Sequence, residues 1–247
     1  MTKNEIASYI DHTCLSPNAG IRQIVQLCQE AERYKFASVC VNPVYVGAAA
    51  NELAGRGVKI CTVVGFPLGA TTTKDKVNET KNAIANGADE IDMVINIGAA
   101  RDGRFSEVGT DIMAVVKAAR TAGTKLGKKI IVKTILETCL LEDDMIINCC
   151  LCAKKAGADF VKTSTGFANP KGIDGNPLPN GASEHHVRIM RKAVGADMGV
   201  KASGGIRSAR TLITMLEAGA NRIGTSSGAS IVENWDENEV VKLPKYF

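Results

Sequence analysis

The sequence predicts a (β/α)8 TIM barrel built as one domain over residues 1–247, and three observations carry that prediction. The length of 247 residues is where complete eight-unit barrels cluster. Short β-branched runs alternate with longer stretches of helical periodicity from one end to the other, as repeated βα units around a parallel sheet require. A Gly-Ala-Asp step recurs between a helix and the next strand, at Gly87-Ala88-Asp89, Gly157-Ala158-Asp159, Gly195-Ala196-Asp197 and, altered, Gly219-Ala220-Asn221. Glycine relieves the left-handed helix cap there and a small residue lets the chain turn into the strand, so the repeat reports architecture.

Eight strands follow in order, centred on Tyr9 to Thr13, Ala37 to Val41, Lys59 to Val64, Glu90 to Ile95, Ile130 to Thr134, Asp159 to Thr163, Gly199 to Ala202 and Asn221 to Gly224. Helical segments fill the intervals. The longest Gly/Pro-rich stretch, Asn169 to Gly181, follows the sixth strand, where a barrel places a βα loop at its catalytic face, and is a candidate lid.

Composition excludes several classes. Hydrophobic residues at 45% and charged residues at 23% are ordinary for a globular chain, and the 4% of aromatics leaves a Val/Ile/Ala/Leu core suited to parallel strands. A net charge of +4, dispersed and without aromatic platforms, argues against nucleic acid as a partner. No apolar stretch reaches bilayer-spanning length and the start lacks a signal peptide's pattern, so no membrane partner and a cytoplasmic location are expected. The eight cysteines lack the spaced pairs of a zinc site and are expected to be reduced and structural, with no metal. Glu184-His185-His186 offers no ligand set either, because adjacent helical residues point apart.

The informative anomaly is a set of ionisable residues inside strands that should be apolar on both faces: Asp92, Lys133, Lys162 and Lys201, on four consecutive strands. Buried charges survive only when paired, hydrogen-bonded or neutralised. Lys133 has the competing reading of a salt bridge that closes the barrel. Two ammoniums ~4 Å apart at an effective dielectric of about 20 repel by roughly 4 kcal/mol, so one of a facing lysine pair is expected to give up its proton. A neutral amine is the nucleophile that makes an imine. Lys162, followed by Thr163-Ser164-Thr165-Gly166 at the strand mouth, is the better imine former, with Lys201 as the perturbing cation and Asp92 as proton carrier.

Two glycine clusters, Ser203-Gly204-Gly205 and Arg222 to Gly228, follow the last two strands, where barrels frequently hold phosphate on backbone N–H groups. Ser226 and Ser227 add hydroxyls. His12, at the end of the first strand, is expected to border the pocket.

Taken together, Asp11-His12-Thr13, CVNP (40–43), VVGFPLG (63–69), GADEIDMVIN (87–96), GADFVKTSTG (157–166), GVKASGG (199–205) and RIGTSSG (222–228) resemble the class I deoxyribose-phosphate aldolases along nearly the whole chain. The resemblance implies a reversible cleavage of 2-deoxy-D-ribose 5-phosphate, in deoxyribose breakdown, by an imine on Lys162, with no cofactor or metal. Asp92 and Lys201 take the proton relay and charge control. It further implies a phosphate site of Gly166, Gly204, Gly205, Ser226 and Ser227, and substrate contacts from Asp11, Thr13, Cys40, Lys133 and Thr165. Phe167 stands where some relatives have lysine, which shifts phosphate holding toward backbone donors aided by Lys171 or Arg207. The C-terminal tail has two readings, a segment that folds over the barrel mouth so that Tyr246 takes part in proton transfer, or a frayed terminus. The partner is a small sugar phosphate; the oligomeric state is open, a homodimer being one assembly the sequence permits. A Schiff-base aldolase or transaldolase acting on another sugar phosphate, and a silent sugar-phosphate binder, are the competing readings.

Overall fold

The structure, a computed structural model, describes residues 1–244. Eight parallel strands close into a barrel in chain order: β1 (Ile10–Cys14), β2 (Ser38–Val41), β3 (Lys59–Val64), β4 (Glu90–Val94), β5 (Ile131–Ile135), β6 (Phe160–Lys162), β7 (Gly199–Ser203) and β8 (Arg222–Thr225). Each strand lies within one residue of its sequence expectation at either end. Helix α1 (Lys3–Ala7) precedes the barrel. The others are α2 (Ile21–Tyr34), α3 (Val46–Glu52), α4 (Thr73–Ala85), α5 (Ile97–Arg101), α6 (Phe105–Lys125), α7 (Asp143–Ala156), α8 (Glu184–Val194), α9 (Ala209–Glu217) and α10 (Gly228–Glu233).

Strand alternation decides what fills each side of the sheet. Val39, Val41, Ile60, Val64, Ile91, Met93, Val132, Val161, Val200 and Ile223 belong to the large core between strands and helices. The residues between them face inward, where the interior splits in two. A small apolar cluster of Leu15, Cys40, Cys61 and Val63, with Phe66 against it, fills the β1–β3 side. Asp92, Lys133, Lys162 and Lys201 lie in the rest, together with Asp11, Glu90 and Arg222.

The Gly-Ala-Asp step has a visible purpose. Gly87, Gly157, Gly195 and Gly219 all have positive φ. Asp89 Oδ2 then accepts the Ile60 N–H at 3.1 Å, Asp159 Oδ2 that of Val132 at 2.8 Å, and Asn221 Oδ1 that of Val200 at 2.8 Å. Each side chain thus ties the start of one strand to its neighbour. Asp197 is exposed and falls two residues before β7, so this copy of the step keeps the glycine but not the tie.

Helices α4, α5, α8 and α9 start on side-chain caps: Thr72, Asn96, Ser183 and Ser208 accept the N–H of Asp75, Ala99, His186 and Thr211. A buried pair, Lys76 Nζ to Asp111 Oδ2 at 2.5 Å, joins α4 to α6. After α10 the chain returns to its beginning, with Trp235 Nε1 donating to the Met1 carbonyl at 2.8 Å. The tail expectation concerning Tyr246 falls on residues 245–247, outside the described residues. Among the described residues no helix is long and apolar enough to cross a membrane. All eight cysteines are free thiols; burial pushes Cys149 up to about 12.

Candidate active site

Register brings the buried charges together. Asp92 pairs with Lys133 across β4–β5, Lys162 with Lys201 across β6–β7, and Lys201 with Arg222 across β7–β8. Their side chains converge on Asp92. Its Oδ2 accepts from Lys162 Nζ and from Lys201 Nζ, each at 2.8 Å, while Oδ1 accepts from Lys133 Nζ, also at 2.8 Å. The Lys162 and Lys201 nitrogens therefore share one oxygen and lie on the same side of the sheet.

Two further carboxylates balance the lysines. Asp11 Oδ2 lies 2.5 Å from Lys201 Nζ and its Oδ1 2.6 Å from Arg222, while Glu90 lies 2.5 Å from Lys133 Nζ. Ser38 donates to Asp11 at 2.7 Å. The carboxylates of Asp11, Glu90 and Asp92 thus face Lys133, Lys162, Lys201 and Arg222 in this half of the interior.

Burial by itself would push Asp92 up, but the ammoniums of Lys133, Lys162 and Lys201 outweigh it and hold the carboxyl well below the usual range. Asp11 is held low in the same way, burial being overcome by Lys201, Arg222 and Lys133. Burial works against the charged forms of Lys133 and Lys201 too, yet Asp92 with Cys61 and Glu90 raises Lys133, and Asp11 with Asp92 raises Lys201. Lys133 and Lys201 are consequently fixed positive charges. Asp92 is a negative one at rest, a carboxylate that can accept a proton but has none to give.

At the C-terminal ends of the strands a cavity of about 340 Å³ opens, lined by Lys162 together with Thr13, Thr165, Gly166, Gly204, Gly205 and Ser226. Of the three lysines on Asp92 only Lys162 reaches it. Phe167, Ser203, Ile206, Arg207, Gly224 and Thr225 also contribute to the wall. Phe167 meets Phe66 edge-on, ring centroids 5.3 Å apart, spanning from the loop after β3 to the loop after β6. Gly204 packs directly on Gly181: a Cβ on Gly204 would lie 2.8 Å from the Gly181 Cα, so both positions need glycine, and both have positive φ. The loop after β6 thereby closes onto the loop after β7. Its stretch from Asn169 to Gly181, expected as a lid, contributes no residue to the cavity wall.

Other expectations divide. Asp92, Lys201, Asp11 and Lys133 lie beneath the cavity and not in its wall, joined to it through Lys162. Lys133 is fully buried in ion pairs, the arrangement of its competing reading, and does not line the cavity. Cys40 is likewise fully buried, beside Cys61, and its thiol is lowered first by the hydrogen bond from Cys61. Ser227 is next to the wall residue Ser226, with its N–H on Thr225 Oγ1 at 2.9 Å. His12 does not border the pocket: alternation with Asp11 turns it to the helix layer, where it meets Phe36 and its Nε2 lies 2.7 Å from Glu30. His185 sits on the surface against Asp143.

Sequence reasoning missed Glu90 and Arg222, although the former stands two residues before Asp92 and so shares its face. Cys40, Cys61 and Asp92, or Asp11, Cys61 and Glu90, come close enough to share a cation. Their carboxylates already have lysine and arginine counter-ions, so these sets suit a divalent ion poorly.

Fold and site define a parallel-barrel protein with an amine at the floor of its mouth and glycine-lined walls above it. The chain belongs to the DeoC/LacD family of aldolases, whose model matches residues 6–234. A deoxyribose-phosphate aldolase of Geobacillus is 52% identical over 236 residues, covering 96% of this chain and 98% of its own. That of Bacillus subtilis is 52% identical over 228 residues, covering 92% and 95%. The deoxyribose phosphate aldolase of Aeropyrum pernix, described as tetrameric, superposes with a TM-score of 0.82 at 34% identity over 94% of this chain and 91% of its own.

Proposed function

We propose that this chain is a Schiff-base aldolase that reversibly cleaves 2-deoxy-D-ribose 5-phosphate into D-glyceraldehyde 3-phosphate and acetaldehyde, Lys162 being the imine former. The observation that carries the assignment is that Lys162 alone among the lysines on Asp92 lines the cavity. Relatives covering almost the full chain at about half identity bear the same activity as their name.

The amine of Lys162 adds to the sugar aldehyde at C1, and loss of water gives an iminium. The C2–C3 bond then breaks: its electron pair forms the enamine with C2, the C3 hydroxyl gives up its proton, and C3 becomes the aldehyde of the triose phosphate. Protonation of C2 and addition of water release acetaldehyde and restore the amine. Asp92 and Lys201 serve the proton movements in sequence. The Lys162 nitrogen is a cation as the ammonium and again as the iminium, and it loses that charge as the C2–C3 bond breaks and the enamine forms; Asp92 then faces two cations instead of three, so its proton affinity rises as the C3 hydroxyl gives up its proton. Asp11, Glu90 and Lys133 hold this set in place.

The triose phosphate end is taken by Gly166, Gly204, Gly205, Ser226 and Ser227, with Thr13 and Thr165 beside the sugar. Arg207 supplies the positive charge, being the one cationic side chain besides Lys162 in the wall among the described residues. Replacing it, Arg207→Ala, is expected to raise the KM for the sugar phosphate about ten-fold while kcat stays within about two-fold. Equal KM values in the steady state remove Arg207 from the phosphate site.

The same reading takes one barrel as the catalytic unit, places it in the cytoplasm and requires no nucleic acid, membrane or cofactor. A homodimer is one assembly this reading permits and a tetramer, as described for the Aeropyrum relative, is another; sedimentation decides between them. Borohydride reduction in the presence of acetaldehyde tests the function: an adduct with turnover of deoxyribose phosphate supports it, and preferential turnover of keto-sugar phosphates moves the assignment to another aldolase.

A further inference from the structure

We propose that Glu137 is a positioning residue that sets the preference for a phosphorylated sugar. It does so from outside the cavity, by fixing the turn Thr165-Gly166-Phe167. The inference rests on the aldolase reading above.

Glu137 lies just beyond β5 and is 2% exposed. Its backbone is left-handed, φ 57° and ψ 62°, a conformation that residues with a side chain rarely adopt. The residues on either side account for its being held there: the N–H of Leu136 donates to the Lys162 carbonyl and that of Thr138 to the Thr163 carbonyl, both at 3.0 Å. The segment is thereby laced to β6 at the imine-forming residue itself.

Its carboxylate turns to the loop that follows. Oε2 accepts the Thr165 N–H at 3.2 Å and also the Thr165 hydroxyl, and Oε1 accepts the Cys139 thiol at 3.7 Å. Among the described residues no lysine or arginine pairs with it. Its partners are neutral donors, so what it contributes is geometry and not charge balance. Two donors from one residue, an N–H and an O–H, converge on it, and an ionised carboxylate is the side chain that only accepts. Thr165 Oγ1 in turn accepts the Phe167 N–H at 3.0 Å. Gly166, with φ 85°, is held between two pinned residues, opposite Gly204 across the glycine-lined wall. A phosphate bound by backbone N–H groups needs those groups fixed in advance, because ordering a loose loop at the moment of binding costs affinity.

The test compares 2-deoxyribose 5-phosphate with unphosphorylated 2-deoxyribose on Glu137→Gln. The amide keeps one acceptor oxygen but turns a second donor toward the Thr165 donors. We expect the KM for the phosphorylated sugar to rise about ten-fold with kcat within about two-fold, and kcat/KM for the unphosphorylated sugar to stay unchanged. Glu137→Asp, which keeps an acceptor-only carboxylate but draws it back from Thr165 by one methylene, is expected to give a smaller loss of the same preference, and it decides the matter should Glu137→Gln not fold. A proportional fall for both sugars, or an unaltered preference, overturns the inference. Wild-type protein that turns over neither sugar overturns the aldolase reading instead.

Discussion

Lys162→Arg and Lys162→Leu are both expected to lose deoxyribose phosphate turnover by on the order of 10⁴- to 10⁶-fold, and to give no borohydride adduct with acetaldehyde. Arginine keeps a cation beside Asp92 but has no amine to condense, and leucine removes both. Their agreement would isolate the covalent step from the electrostatic one. In the wild type, the reduced adduct should appear as one ethyl group on the peptide that contains Lys162. The neighbouring lysines are poor competitors for physical reasons: Asp92 with Glu90 keeps Lys133 protonated, Asp11 with Asp92 does the same for Lys201, and neither lines the cavity. An adduct found on Lys201 or Lys133, or retained in Lys162→Leu, would sink the assignment of the imine former.

The barrel was open to reading because both of its periodicities are written in apolar residues, which the sequence shows directly. Val132-Lys133-Thr134 or Val161-Lys162-Thr163 gives strand, burial and anomaly in three letters each. Buried lysines in such runs stand out because nothing but a partner tolerates them. The partners were harder. Glu90 begins its strand next to the turn residue Asp89 and looks like a solvated end, while Arg222 opens a glycine-rich motif and looks like part of a phosphate loop. Adjacent pairing of β4 and β5 puts Glu90 on Lys133, while closure of the barrel, which sets β8 against β1, puts Arg222 on Asp11 and, across the interior, beside Glu90.

His12 shows the opposite failure. Its neighbours Asp11 and Thr13 were assigned to the pocket side, and strand alternation then forbids His12 from joining them; the error was one of phase, not of residue choice. Glu137 left no trace in composition or spacing. What distinguishes it is a left-handed backbone and two donors arriving from Thr165, both products of the tertiary fold.

Asp92→Asn is the substitution expected to combine the largest losses of stability and of activity. It leaves three ammoniums, Lys133, Lys162 and Lys201, with one shared anion fewer in a fully buried interior, and uncompensated buried charge costs about 3–5 kcal/mol, measurable by urea unfolding. Turnover should fall about 10³-fold, since the proton acceptor proposed for the reaction goes with the charge. The pH dependence follows from the direction of each shift. Asp92 and Asp11 are held low, so their contribution to stability is present above about 3.9, the unfolded carboxylate value, and is lost as the pH falls through their folded values. Lys133 and Lys201 are held high, so theirs is complete below about 10.4 and is lost as the pH rises beyond it. The network by itself therefore predicts a melting temperature nearly flat from about pH 5 to 10. In Asp92→Asn the alkaline edge should move down, because Lys133 and Lys201 have lost an anion that kept their protons on. Wild-type stability in this variant, or an alkaline edge that stays where it was, would mean that Asp92 is not the charge on which the three lysines depend.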